Sequence, residues 1–120
     1  MLLRLAALWL FLALGCAAAG AHATLVRSDP ADGAVLATAP ERLVLVFNEP
    51  VSPLVLRLVG SDGEPVPLDD VTASQETVTI GLPPGLGAGG HVVSWQVVSG
   101  DGHPIGGSVV FSVGAGGPAP

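Results

Sequence analysis

The sequence predicts an all-β domain, an immunoglobulin-like antiparallel β-sandwich or Greek-key barrel. Three observations point there. Seventeen glycines and eleven prolines punctuate the 120 residues, and short runs of valine, leucine and phenylalanine lie between them. Several runs alternate with a period of two, the spacing that puts side chains on one face of a strand. Few helix signals appear. Six or seven short strands with turns between them suit two sheets packed face to face.

The first segment stands apart. Arg4 precedes an apolar run from Leu5 to Leu14, and small residues lead to Ala19-Gly20-Ala21. That is the order of a secretory signal peptide, cleaved after Ala21. The run is shorter than the roughly 20 apolar residues a membrane-spanning helix needs. Residues 1–21 are thus read as a signal peptide, 22–113 as the domain and 114–120 as a disordered tail. The expected compartment is periplasmic, or secreted or cell-surface where no outer membrane exists. The only cysteine, Cys16, falls in the leader, so the mature domain has no disulfide to stabilise it. Leu14-Gly15-Cys16 partly matches a lipid-attachment site, which would make Cys16 the first residue; Ala13 stands where a large aliphatic is usual.

After residue 21 the chain carries three arginines, no lysine and ten acids, a formal charge of −7. Such a surface repels phosphate backbones and anionic lipid, so nucleic acid is not an expected partner and cations are.

Along the domain, Thr24 to Arg27 reads as a first strand and Ser28-Asp29-Pro30-Ala31-Asp32-Gly33 as a turn. Arg42 to Asn48 alternates, with Leu43, Leu45 and Phe47 on one side and Val44 and Val46 on the other, so both faces are expected to be covered. Val55 to Val59 is followed by the hairpin-type turn Gly60-Ser61-Asp62-Gly63. Thr77 to Leu82 is another strand, and Gly85 to Gly90 a loose connector. Val92 to Val98, with Val93, Trp95 and Val97 in phase, and Ser108 to Val113 complete the set. Trp95 is expected at the centre of the core.

Of the three histidines, His91 opens the Trp95 strand and reads as an exposed strand-start residue. His22 would be the first residue after cleavage. A terminal histidine offers its α-amine and its imidazole to one metal ion. The amine titrates near 8, so a metal displaces its proton at modest cost. Asp101-Gly102-His103-Pro104 supplies further donors. Residues i and i+2 of an extended segment point the same way, and Pro104 biases His103 towards extended backbone. The same four residues also make a plain polar turn. Together the groups give three nitrogens and one oxygen, a set suited to Cu(II); zinc fits the same ligands. Neither Met nor Cys occurs after residue 21, so a Cu(I) thioether site is excluded. Ser99 and Ser108 read as turn and strand residues.

These residues, taken in order, resemble the CopC family of periplasmic copper-binding proteins. The matching stretches are His22-Ala23, Ser28-Asp29-Pro30-Ala31-Asp32-Gly33, Ala39-Pro40, Leu45-Val46-Phe47-Asn48-Glu49-Pro50-Val51, Trp95 to Pro104, and Gly107. The last long stretch is the most specific. The resemblance implies one Cu(II) per chain, held by His22, Asp101 and His103. Glu49 matches a family acid near the site, with a supporting or occasional ligand role. The resemblance also implies delivery of copper to a CopD-like inner-membrane transporter, here a separate protein, or a part in copper resistance. No enzyme activity is expected, and the chain is expected to be a monomer. Two other readings use the same features: a copper-dependent oxidative enzyme of the terminal-histidine type, and a metal-free β-sandwich interaction domain.

Overall fold

The computed structural model describes residues 22–114. The expected signal peptide, Cys16 and residues 115–120 lie outside them. Nine strands are present among the described residues: β1 (Leu25–Asp29), β2 (Ala34–Leu36), β3 (Arg42–Phe47), β4 (Val51–Val59), β5 (Pro65–Pro67), β6 (Val71–Ser74), β7 (Thr77–Gly81), β8 (Gly89–Ser99) and β9 (Pro104–Val113). They form a four-stranded sheet, β1-β3-β7-β6, and a five-stranded sheet, β2-β9-β8-β4-β5. The chain passes between the two sheets after β1, β2, β3, β5 and β7. This is the β-sandwich that the glycine and proline spacing predicts. One pairing departs from antiparallel: β2 runs parallel to β9, with Val35 opposite Ser112.

The core lies between the sheets. Leu43, Leu45 and Phe47 of β3 meet Val93, Trp95 and Val97 of β8, with Val78, Ile80, Leu58, Val109 and Phe111 around them, all buried. Removing each such side chain from water contributes on the order of 1.5–3 kcal/mol, which matters in a domain with no disulfide. The outward side of β3 is only half covered, since Val44 and Val46 are half-buried. The edge of the Phe47 ring points at Trp95, with ring centroids 5.3 Å apart and planes at 78°. Trp95 also crosses the neighbouring strand. It pairs with Gly107, and a Cβ at Gly107 would lie 2.7 Å from Trp95 Cζ2.

The turn after β1 does more than reverse the chain. Asp32 accepts a hydrogen bond from the Val110 amide at Oδ1, 2.8 Å, while Gly33 N–H donates to Val110 O at 2.6 Å. This clamp starts β2 along β9. Gly33 has φ +86°, a conformation that favours glycine.

Several sequence expectations need correcting. β8 begins at Gly89 and β9 at Pro104, so each reaches further than its apolar alternation shows. The end of the expected loose connector is therefore strand. β2, β5 and β6 are three or four residues long, too short for a period to be read. His91 is not exposed: it is 2% accessible. Its Nε2–H donates to Gly87 O at 2.7 Å, and its ring stacks on Phe111 at 5.5 Å. It sits at β8's first inward position and ties the preceding loop to the core.

The contact between Gly107 and Trp95 makes a direct prediction. Gly107→Ala should destabilise the domain by about 1–3 kcal/mol, because a rigid indole backed by Phe47 has little room to retreat. Thermal unfolding followed by Trp95 fluorescence checks this. An unchanged melting temperature would show that the ring moves aside freely.

Candidate metal centre

One end of the sandwich gathers the segment before β1, the β3–β4 turn and the β8–β9 turn. The first is fixed by Ala23, which is 5% exposed and part of the core. Beside it, Thr24 N–H donates to Asn48 Oδ1 at 2.7 Å and Asn48 N–H donates to Thr24 O at 3.0 Å. This reciprocal pair holds His22 at the rim. Nothing in the alternation of Arg42 to Asn48 points to this anchoring role, which lies in the hydrogen bonds alone.

The β8–β9 turn is closed by its own backbone. Gly102 N–H donates to Ser99 O at 3.0 Å, and Gly102 has φ +80°. Asp101 points its carboxylate back over the turn. Oδ1 accepts the Ser99 hydroxyl at 2.7 Å and the His103 amide at 2.9 Å. Oδ2 faces outward, 3.1 Å from His22 Nδ1 and 3.7 Å from His103 Nδ1. The two imidazole centroids are 5.6 Å apart.

His22, Asp101 and His103 therefore come together, across 79 residues of sequence between the first two. One ligand atom from each lies within 4.8 Å of the others. Donors of a single ion at bond lengths of about 2.0–2.1 Å sit about 3 Å apart when adjacent and about 4 Å apart when opposite. The observed distances are close to that range, and two nitrogens with a carboxylate oxygen form a donor set that takes a first-row divalent ion. Glu49 lies in the β3–β4 turn at the same end, half-buried, and is not part of this three-residue group. His91 lies towards the other end of β8. The centre is open, with side-chain exposures of 57% for His22, 71% for His103 and 27% for Asp101.

Asp101 is held well below the ordinary carboxylate range, from 3.8 to about 2. The Ser99 hydroxyl is the largest cause and the His103 amide the next; partial burial opposes them, and the His22 and His103 side chains lower it further. The carboxylate is thus ionised at neutral pH.

Residues 25–114 match the CopC domain family. The chain belongs to the CopC family. Relatives agree over most of the domain. Copper resistance protein C of Pseudomonas syringae pv. tomato is 36% identical, with 81% of this chain and 84% of that protein covered. The Bacillus subtilis copper transport protein CutJ is 32% identical over 78% of this chain, but the match spans only 18% of CutJ's length. The crystal structure of CopC from Methylosinus trichosporium superposes with a TM-score of 0.69 at 27% identity, covering 82% of this chain and 97% of that one. PcoC, a methionine-rich copper resistance protein from Escherichia coli, gives 0.61 at 32% identity, covering 78% and 99%. In contrast to that description, the present CopC-family chain has one methionine, Met1.

The lowered Asp101 value fixes a sign for acid sensitivity. A carboxyl group whose folded value lies below its unfolded value stabilises the fold above the unfolded value, and that contribution is lost as pH falls through the folded one. The metal-free protein should therefore lose Asp101's contribution between about pH 4 and pH 2. Melting temperatures of wild type and Asp101→Asn should converge across that window. Parallel profiles down to pH 2 would mean that Asp101 titrates normally.

Proposed function

We propose that this CopC-family chain is an exported, non-catalytic copper carrier. It holds one Cu(II) through His22, Asp101 and His103 once cleavage behind Ala21 frees the α-amine of His22. The observation that carries this reading is the convergence of one ligand atom each from His22, Asp101 and His103 within 4.8 Å of one another. The ring nitrogen of His22 that faces Asp101 is Nδ1. That is the nitrogen able to close a six-membered chelate with the residue's own α-amine. Four donors, three nitrogens and one oxygen, then suit a tetragonal Cu(II) ion, and Cu(II) tops the affinity order of the divalent first-row metals. No sulfur ligand follows residue 21, which argues against storage as Cu(I).

The proposed role is copper resistance or delivery. The relatives named for copper resistance and copper transport support it. The exposure of both imidazoles leaves the ion within reach of a receiving protein, for which a CopD-like inner-membrane transporter is the proposed partner. The leader read in residues 1–21 supports a location outside the cytoplasm. Glu49, at the same end of the sandwich, is proposed to support the ion from a distance.

Native intact mass of the exported protein, with and without one equivalent of Cu(II), tests the reading. The expected result is a chain starting at His22 that gains one copper. His103→Ala should weaken Cu(II) binding at least tenfold, since it removes one of four donors, while the metal-free melt stays near wild type. Extra residues placed before His22 should do comparable damage by holding the amine in a peptide bond. Tight binding by the extended protein would refute the terminal-amine site.

A further inference from the structure

The inward row of β8 runs His91, Val93, Trp95, Val97 and Ser99, all buried. The three central members pack in the core. The last is a serine only 8% exposed, at a position where an aliphatic side chain would seal the end of the sandwich. A buried hydroxyl needs a partner, and Ser99 has one: Oγ–H donates to Asp101 Oδ1 at 2.7 Å. Ser99 is itself fixed. Its backbone pairs with Val51 of β4, and its carbonyl accepts from Gly102 N–H.

The consequence falls on the two oxygens of Asp101. Oδ1 takes two donors, the Ser99 hydroxyl and the His103 amide. The plane of the carboxylate is thereby set, and only Oδ2 is turned towards His22 and His103. Without the hydroxyl, one hydrogen bond, from the His103 amide, would remain on Oδ1. The carboxylate could then rotate about its Cβ–Cγ bond and offer either oxygen or both. The three donors that converge within 4.8 Å would no longer be held in one arrangement.

We propose that Ser99 is a positioning residue that restricts Asp101 to a single, one-oxygen donor geometry at the Cu(II) site. This rests on the copper-binding reading given above. Ser99 does not touch the ion in this scheme; it acts through Asp101. Hydrogen bonds that orient metal ligands typically carry about 10- to 100-fold of the affinity.

The test compares Ser99→Ala, Ser99→Val and Ser99→Thr in the mature protein loaded with one equivalent of Cu(II). Threonine keeps the hydroxyl and valine has the same shape without it. Competition titration reads affinity, electron paramagnetic resonance reads the Cu(II) environment, and a melt of the metal-free protein reads the fold. The expected result is a loss of about 10- to 100-fold in affinity for alanine and valine with a changed or heterogeneous resonance spectrum, while threonine keeps wild-type affinity and spectrum. Wild-type affinity and spectrum in alanine and valine would overturn the proposal. So would equal losses in threonine and valine that follow a lowered melting temperature, which would make Ser99 a packing residue only. If the wild-type protein itself took up no Cu(II), the function reading would fall and the role of Ser99 with it.

Discussion

Between Val98 and Pro104 the β8–β9 ladder has to close over five residues, and the end of the molecule that carries the candidate metal donors depends on that closure. Ten residue pairs upstream, from Gly89 opposite Val113 to Val98 opposite Pro104, fix the two strands against each other. β4 fixes β8 from the other side, with Val51 opposite Ser99. The turn therefore starts and ends at anchored positions. Gly102 takes the positive φ that the reversal requires, and Asp101 caps the turn with its own carboxylate. The donors from residues 101 and 103 are thus part of the hairpin's geometry rather than appendages to it. His22 is brought to them by a separate device, the burial of Ala23 and the reciprocal hydrogen bonds of Thr24 and Asn48.

That division of labour suits the proposed role, in which the site takes up and releases an ion. The scaffold is apolar and tightly packed, with Phe47, Phe111, Leu43 and Leu45 essentially inaccessible, and it bears the folding energy. The donors sit outside it, on polar segments that the core merely positions. A charged group left exposed avoids the large penalty that burial would impose. Asp101 is ionised without being deeply buried because its charge is met by donated hydrogen bonds. The site can therefore be empty or filled without exposing an unpaired charge in the interior.

Much of this was legible in the sequence, for identifiable reasons. β3, β8 and β9 are long enough for a period of two to show. Their phases placed Leu43, Leu45, Phe47, Trp95 and Phe111 in the core, where they are found. The turn residues Gly33, Gly63 and Gly102 all have positive φ. His22, Asp101 and His103 could be nominated because their chemistry is distinctive, although nothing in periodicity alone required residues 22 and 101 to meet. What escaped was short or contextual. β2 runs beside β9 only because Asp32 and Gly33 bond to Val110, a contact across 78 residues. β5 contains two prolines, which argue against a strand until it is seen to lie at a sheet edge. At the start of a strand, directly after Gly90, a histidine is expected to be exposed. Its phase with Val93, Trp95 and Val97 was the available signal that it faces inward.

The same phase argument links the two ends of the molecule. The inward row of β8 is apolar in the middle and polar at both extremities, with His91 at the start and Ser99 at the finish. Each polar member is buried, and each gives its hydrogen bond to a loop: His91 to Gly87, Ser99 to Asp101. A purely aliphatic row would pack equally well and would bury no polar atom. It would also leave both loops without a tether to the core. At the His91 end the tether holds the glycine-rich connector through Gly87 O, while the imidazole stacks on Phe111. At the Ser99 end it governs which oxygen of Asp101 faces the histidines. One strand thus supplies the centre of the hydrophobic core and the orientation of a proposed metal ligand. Changes to the β8 backbone register would disturb both together, since a slip of one residue would turn Trp95 to solvent and Ser99 away from Asp101.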